Sequence, residues 1–276
     1  MNIAYSPCPN DTFVFHAWAH GLIPGAPELD VTYADIDITN NWAAKGKGPE
    51  VMKISYAALP WVLEDYKLLP CGGALGRGCG PLVLTAGEIK SAADLAGKRV
   101  AVPSERSTAY LLFRLWAAQH IPNGDLEIVV MPFHEIMPAV RDGQIDAGLV
   151  IHEARFTYPT YGLSMLTDLG SWWESDTGLP IPLGAIIAKR SLDTDAITNW
   201  VRESVEYAWA NPEESRPYIM MHAQELSPDV AQAHIDLYVN EFTGNLGEDG
   251  YAAITALLGR AAEEGLVPSF DLSLLR

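Results

Sequence analysis

Short apolar strands that stop at a small polar or proline-bearing turn and pass at once into a helical pattern recur along this chain. The first is Ile3-Ala4-Tyr5, ended by Ser6-Pro7-Cys8-Pro9-Asn10-Asp11-Thr12-Phe13. The second is Val51-Met52-Lys53-Ile54, which runs into Ser55-Tyr56 and a helix-like stretch to Leu63. The third is Arg99-Val100-Ala101-Val102, then Pro103-Ser104-Glu105-Arg106-Ser107-Thr108 and an apolar helix through Trp116. Strands alternating with helices in this way call for an α/β architecture with a largely parallel sheet. Pro7 and Pro9 cannot donate to a ladder and hold the residues before them extended, which makes Asn10 or Asp11 the expected cap of the first helix. Such a junction presents unpaired N–H groups and a positive dipole end at the carboxyl end of a strand, where open sheets gather ligands and where an anion is favoured.

The remaining segments extend the same scheme. Leu29 to Tyr33 alternates as a strand, and Thr39 or Asn40 is the expected cap of a short helix carrying Trp42, ended by Gly46-Lys47-Gly48-Pro49. Leu126 to Val130 reads as a strand, and a helix from about His134 to Asp142 is closed by Gly143. Asp146 to Ile151 is a buried strand by content, with His152 and Glu153 at its carboxyl end. After a strand at Leu183–Ala188, the pattern from Asp193 to about Gly265 is almost wholly helical, with boundaries at Asn211-Pro212 and Ser227-Pro228. The simplest arrangement is two lobes, residues 1–86 with 186–276 and residues 87–185, joined by two extended crossings.

Composition limits what such a protein can bind. With 35 acidic against 18 basic side chains the net charge is −17, which disfavours nucleic acid and anionic membrane surfaces as partners. An anionic ligand must therefore be held by local groups against the global field. No apolar run approaches the roughly 18 to 20 residues that span a bilayer, and Pro7 and Pro9 interrupt the start of the chain, so a cytoplasmic protein is expected. The three cysteines, Cys8, Cys71 and Cys79, cannot all pair and lack zinc-type spacing, which makes buried free thiols the expectation. Monomer and homodimer are both open.

Each candidate residue has a structural reading beside its chemical one. A histidine after a buried strand is commonly a satisfied structural residue, yet His152 stands where α/β sheets place ligands, and an imidazole suits proton abstraction near neutral pH. Glu153 could orient it, although neighbours on extended chain point in opposite directions. Arg155 is either a carboxylate anchor or one half of an ordinary ion pair. Lys53 is either a ligand-facing cation or a solvated edge lysine, and Ser107 and Thr108 open a helix where a hydroxyl is first of all a cap. His16 and His20 have metal-ligand spacing but no carboxylate or third histidine nearby, so no metal is expected. Trp172-Trp173 reads as packing. Gly76-Arg77-Gly78-Cys79-Gly80 lacks the helix and the lysine–hydroxyl pair of a phosphate loop.

Several of these stretches together resemble the 1,4-dihydroxy-6-naphthoate synthase family of menaquinone biosynthesis: Ser6 to Phe13, Lys53-Ile54-Ser55-Tyr56-Ala57-Ala58, Gly73 to Gly78, Ile151 to Tyr158, and Leu179 to Gly184. The resemblance runs over essentially the whole chain. It implies a two-lobed, type II periplasmic-binding-protein-like α/β fold with a ligand crevice between lobes. It also implies a carbon–carbon lyase that converts cyclic dehypoxanthinyl futalosine to 1,4-dihydroxy-6-naphthoate without a cofactor. His152 falls on the family's catalytic base. Lys53, Ile54 and Ser55 fall on one substrate-contacting segment and Ser107, Thr108 and Ala109 on a second, with Asn10, Asp11 and Thr12 shaping the wall of the crevice. The rival readings are a chorismate dehydratase-like sister enzyme and a non-enzymatic binder of small carboxylates.

Overall fold

The computed structural model describes residues 1–87, 89–223 and 227–276. The chain opens with β1 (Asn2–Tyr5), α1 (Pro9–Ala19), β2 (Asp30–Tyr33), α2 (Ile36–Ala44), β3 (Val51–Ser55), β4 (Tyr66–Leu68) and β5 (Ala74–Gly76). There follow β6 (Leu82–Thr85), β7 (Lys98–Val102), α3 (Thr108–His120), β8 (Leu126–Val130), α4 (Phe133–Arg141), β9 (Ala147–Val150), α5 (Ala154–Thr157), β10 (Ser164–Asp168) and α6 (Leu169–Thr177). The chain ends with β11 (Ile181–Lys189), α7 (Thr194–Ala210), α8 (Pro212–His222), α9 (Pro228–Tyr238), α10 (Glu241–Gly244) and α11 (Gly247–Glu263). Within the stretch expected to be helical, residues 224–226 lie outside the described residues. Contacts divide the chain into one unit of Met1–Gly76 with Pro182–Arg276 and another of Arg77–Ile181.

Each unit is built on its own mixed sheet, where the sequence pattern had pointed to largely parallel ones. In the first, the order is β2-β1-β3-β11-β4 with β5 on β11; β1 runs parallel to β2 and β3, and β11 runs antiparallel to β3 and β4. In the second, the order is β10-β6-β9-β7-β8; β7 is parallel to β8 and β9, while β6 is antiparallel to β9 and β10. The reason lies in connectivity. Strand–turn–helix units enforce parallel neighbours through their crossover helices, but β6, β10 and β11 are not joined to their sheet partners by such a helix and are free to run the other way.

The first junction is built differently from its expected capping. Cys8, not Asn10 or Asp11, is the N-cap of α1, in extended geometry (φ −79°, ψ 156°) before Pro9 at the first helical position. Proline there loses no bond, because that N–H has no intrahelical acceptor. Asn10 and Asp11 consequently sit in the first turn with their side chains released for other partners. Asp35 likewise caps α2, which places Thr39 and Asn40 inside the helix and fully buried. After Ser55 the chain forms a 3-10 helix over Tyr56–Trp61, with Pro60 within it, instead of an α-helix to Leu63.

Every residue of α1 from Pro9 to Trp18 is buried, so this helix has no solvent face and serves as the core of the first unit. Val14, Phe15 and Trp18 pack with Val201 and Val205 of α7 and with Ile3 and Ile186 of the sheet. A polar stitch lies inside that contact: the Ser204 hydroxyl donates to the Val14 carbonyl at 2.6 Å and accepts from the Trp18 amide at 3.2 Å. The second unit has a separate core, in which Ile136 and Val140 of α4 pack on Leu82, Leu84, Ala101 and Val150.

Candidate functional site

In the first unit the ends of β1 and β3 are neighbours, since Ile3 and Ala4 pair with Val51 and Met52. The loop and helix start that follow β1 therefore lie beside the last residues of β3. There the Lys53 ammonium meets the Asp11 carboxylate at 2.6 Å, and both side chains are only 3% exposed. A buried pair of this kind holds only because each charge is matched; removing one partner typically costs about 3–5 kcal/mol. Lys53 is thus neither a solvated edge lysine nor an uncompensated cation. Its stem passes over Gly184, where a Cβ would stand 2.6 Å from Lys53 Cε, so a side chain at that register of β11 would push the lysine stem aside.

Asp11 is itself held. Asn10 donates from Nδ2 to Asp11 Oδ1 at 2.9 Å, and Asn10 Oδ1 accepts from the Cys8 thiol at 3.0 Å and from His234 Nε2 at 2.9 Å. Burial, followed by the nearby Asp11 charge, pushes the Cys8 thiol well above its ordinary pKa. It is a protonated donor there, not a nucleophile. Ser55 is clamped in the same manner: its amide donates to Asn40 Oδ1 at 2.7 Å and its hydroxyl accepts from Asn40 Nδ2 at 3.0 Å. Thr12 turns its hydroxyl back onto the Cys8 and Pro9 carbonyls, and Ile54 is fully buried in the sheet. Both shape the interior.

In the second unit, His152 follows β9 and precedes α5. Its backbone is in the left-handed region (φ 52°), the one non-glycine residue in that region among the described residues. Histidine reaches this conformation at a cost of about 1–3 kcal/mol, and such strain persists where surrounding structure requires it, chiefly at functional sites. The expectation that Glu153 continues an extended chain does not hold, because this turn intervenes and Glu153 is already helical. The His152 ring stands edge-on to Phe133 with centroids 5.8 Å apart.

The remaining residues of the second unit make well-defined local contacts. Ser107 is the N-cap of α3, accepting from the Tyr110 amide at 3.1 Å while donating to the Ser104 carbonyl at 3.0 Å; Thr108 and Ala109 follow it, both buried. Arg155 pairs with Asp168 and donates to the Gly80 carbonyl, and Asp168 caps α6 through the Gly170 and Ser171 amides. Arg155 is therefore the ordinary ion pair of its two readings. Gly80 lies so close to Gly170 that a Cβ on it would stand 2.1 Å from the Gly170 nitrogen, which gives the glycine-rich segment a packing role and not a phosphate-binding one. Trp173 is buried and donates to the Pro180 carbonyl.

The histidine pair on α1 is likewise occupied. His16 Nδ1 is 3.0 Å from the Ser215 hydroxyl, and His20 Nδ1 is 2.8 Å from the His16 carbonyl. Neither Asn40 nor His234 stood out in the sequence: the first reads as a helix cap, and the second lies at an apolar-face position of α9 with Ala231, Ile235 and Tyr238.

Comparison with known proteins supplies the family. A family model described as menaquinone biosynthesis matches residues 1–263. The chain belongs to the menaquinone-biosynthesis family. It is 70% identical over 272 residues to a 1,4-dihydroxy-6-naphthoate synthase of Streptomyces coelicolor, covering 98% of this chain and 95% of that protein. It is 46% identical over 269 residues to the synthase of that name from Thermus thermophilus, covering 96% and 95%. Among solved structures, protein AF1704 from Archaeoglobus fulgidus matches with a TM-score of 0.88 at 36% identity, over 96% of this chain and 98% of that one. The periplasmic aliphatic sulphonate binding protein of Escherichia coli matches with a TM-score of 0.69 over 99% and 90% of the chains, at 15% identity. That last likeness shows the fold alone. The two mixed α/β units are those of a periplasmic-binding-protein fold, and this member of the menaquinone-biosynthesis family is an enzyme.

Proposed function

We propose that this enzyme is a carbon–carbon lyase that converts cyclic dehypoxanthinyl futalosine to 1,4-dihydroxy-6-naphthoate, with His152 as the base. The observation that carries the reading is the strained His152 at the carboxyl end of β9, in a chain 70% identical to a synthase of that product. His152 takes a proton from the sugar-derived part of the substrate. The electron pair released forms a carbonyl as the carbon–carbon bond to the ring breaks, and the ring accepts the bonding pair and becomes aromatic. Aromatisation drives the step forward, and the proton on His152 leaves to solvent or product.

Substrate capture falls to the other groups. Lys53 has three ammonium protons, of which Asp11 takes one, leaving donors for the substrate carboxylate. The backbone and hydroxyl of Ser55, held by Asn40, present a polar strand end, and Ser107, Thr108 and Ala109 supply the amides of a helix start. Asn10 and Asp11 act by fixing Lys53, and Thr12 by filling the wall. The substrate is a small anion, and no cofactor takes part in the steps assigned here. Three unpaired thiols suit a reducing compartment, which supports a cytoplasmic enzyme.

The test is His152→Asn, assayed with cyclic dehypoxanthinyl futalosine by absorbance of the naphthoate. The expected result is a loss of turnover of at least about 100-fold with the substrate dissociation constant within about threefold of the parent. Near-normal turnover in a folded, substrate-binding variant sinks the assignment. Dehydration of a chorismate-type substrate in place of this conversion would favour the sister reaction.

A further inference from the structure

We infer that His234 is a positioning residue for substrate capture, acting through Asn10 and Asp11 on the Lys53 ammonium. This rests on the reading of Lys53 as a substrate-holding group. His234 lies on the inward face of α9 and is 1% exposed, at a position where the helix otherwise presents apolar side chains. A polar ring at such a position must be satisfied or it destabilises the core, and its Nε2 lies 2.9 Å from Asn10 Oδ1.

The direction of every bond in the chain follows from one charge. Asp11 Oδ1 accepts from the Lys53 ammonium at 2.6 Å, and a carboxylate oxygen in an ion pair only accepts. The Asn10 atom facing it at 2.9 Å is therefore the Nδ2 donor, which turns Asn10 Oδ1 toward Cys8 and His234. An amide oxygen only accepts, so His234 carries its proton on Nε2 and the Cys8 thiol is a donor. Two donors from opposite parts of the fold, the helix cap and α9, lock the Asn10 amide. The locked amide fixes the rotamer of Asp11, and Asp11 in turn fixes where the remaining Lys53 protons point. Loss of the His234 donor leaves Asn10 with the weaker thiol donor alone, free to rotate away from Asp11.

Two measurements test this. In a long-range proton–nitrogen NMR spectrum of the intact protein, His234 is expected to carry a proton on Nε2; a ring protonated on Nδ1 alone overturns the inference without any assay. In steady-state kinetics with cyclic dehypoxanthinyl futalosine, His234→Phe is expected to raise KM about three- to tenfold with kcat within about twofold, because His152 sets the chemical step. His234→Gln, which keeps an N–H donor, is expected to recover most of that loss, and it serves as the reporter if the phenylalanine variant folds poorly. A parent-like KM in His234→Phe, alongside a raised KM in Lys53→Met, overturns the positioning role and leaves Lys53 as a substrate group. A parent-like KM in Lys53→Met removes the reading of Lys53 and the inference with it.

Discussion

At the scale of single residues, the account turns on how buried polar groups are satisfied. Asp11→Asn keeps the shape of the carboxylate but removes the counter-charge of a lysine that is 3% exposed. The expected result is a loss of about 3–5 kcal/mol in unfolding free energy, read from urea midpoints, together with a raised KM. A variant as stable as the parent would mean that Lys53 reaches water. The thiols make a second residue-scale prediction. Burial pushes Cys71 and Cys79 up to about 12 and holds Cys8 well above the ordinary thiol value, so all three are protonated and shielded at neutral pH. A thiol reagent is expected to label the native protein far more slowly than it labels the three thiols exposed in denaturant; one fast native thiol at Cys8 would restore it as a nucleophile. The sequence grouped Cys8 with the other two as a buried free thiol, but its bond to Asn10 and its place beside Asp11 are set only by the folded arrangement.

At the scale of elements, the strand–turn–helix junctions were legible and their internal wiring was not. Proline placement announced the start of α1, yet the cap fell on Cys8 because Pro9 fits the first helical position without losing a bond. That shift of two or three residues is what releases Asn10 and Asp11 into the site. Strand direction was read as parallel from the crossover helices, and the antiparallel β6, β10 and β11 escaped because nothing in a strand's own residues records which way its neighbour runs. His152 was legible by its place after β9, whereas its left-handed backbone was not. His234 was hidden because a histidine among apolar-face residues of a helix looks like filler until its partner, more than two hundred residues away in sequence, is in place. Gly184→Ala tests the packing of β11 on Lys53: a Cβ 2.6 Å from Cε displaces the lysine, and a raised KM with retained fold is expected. An unchanged KM would show that the lysine stem adapts without consequence for substrate.

At the scale of the whole molecule, acid sensitivity follows from the histidine and tyrosine cluster of the first unit. Burial, and then the neighbouring His20, hold His16 and His222 below the ordinary histidine value. A group depressed in the folded state binds fewer protons there than in the unfolded chain. It costs nothing above about pH 6.5, and the loss of stability grows as pH falls through and below that value. The urea midpoint is therefore expected to fall between pH 7.5 and 5.5 by more in the parent than in His222→Gln, a comparison that cancels the relief of self-repulsion in a chain of net charge −17. Equal falls in both would remove the cluster as the cause.

The same whole-molecule view returns to the reaction, since a binding-protein fold alone does not make an enzyme. Among the described residues no helix is long and apolar enough to cross a membrane. The most direct test of the central claim is a single-turnover experiment: purified protein in excess over cyclic dehypoxanthinyl futalosine, with formation of 1,4-dihydroxy-6-naphthoate followed by absorbance in the parent and in His152→Asn. The account predicts complete conversion by the parent and bound, unconverted substrate in the variant. Naphthoate formation by His152→Asn at the parent's rate, or none by the parent, would contradict it.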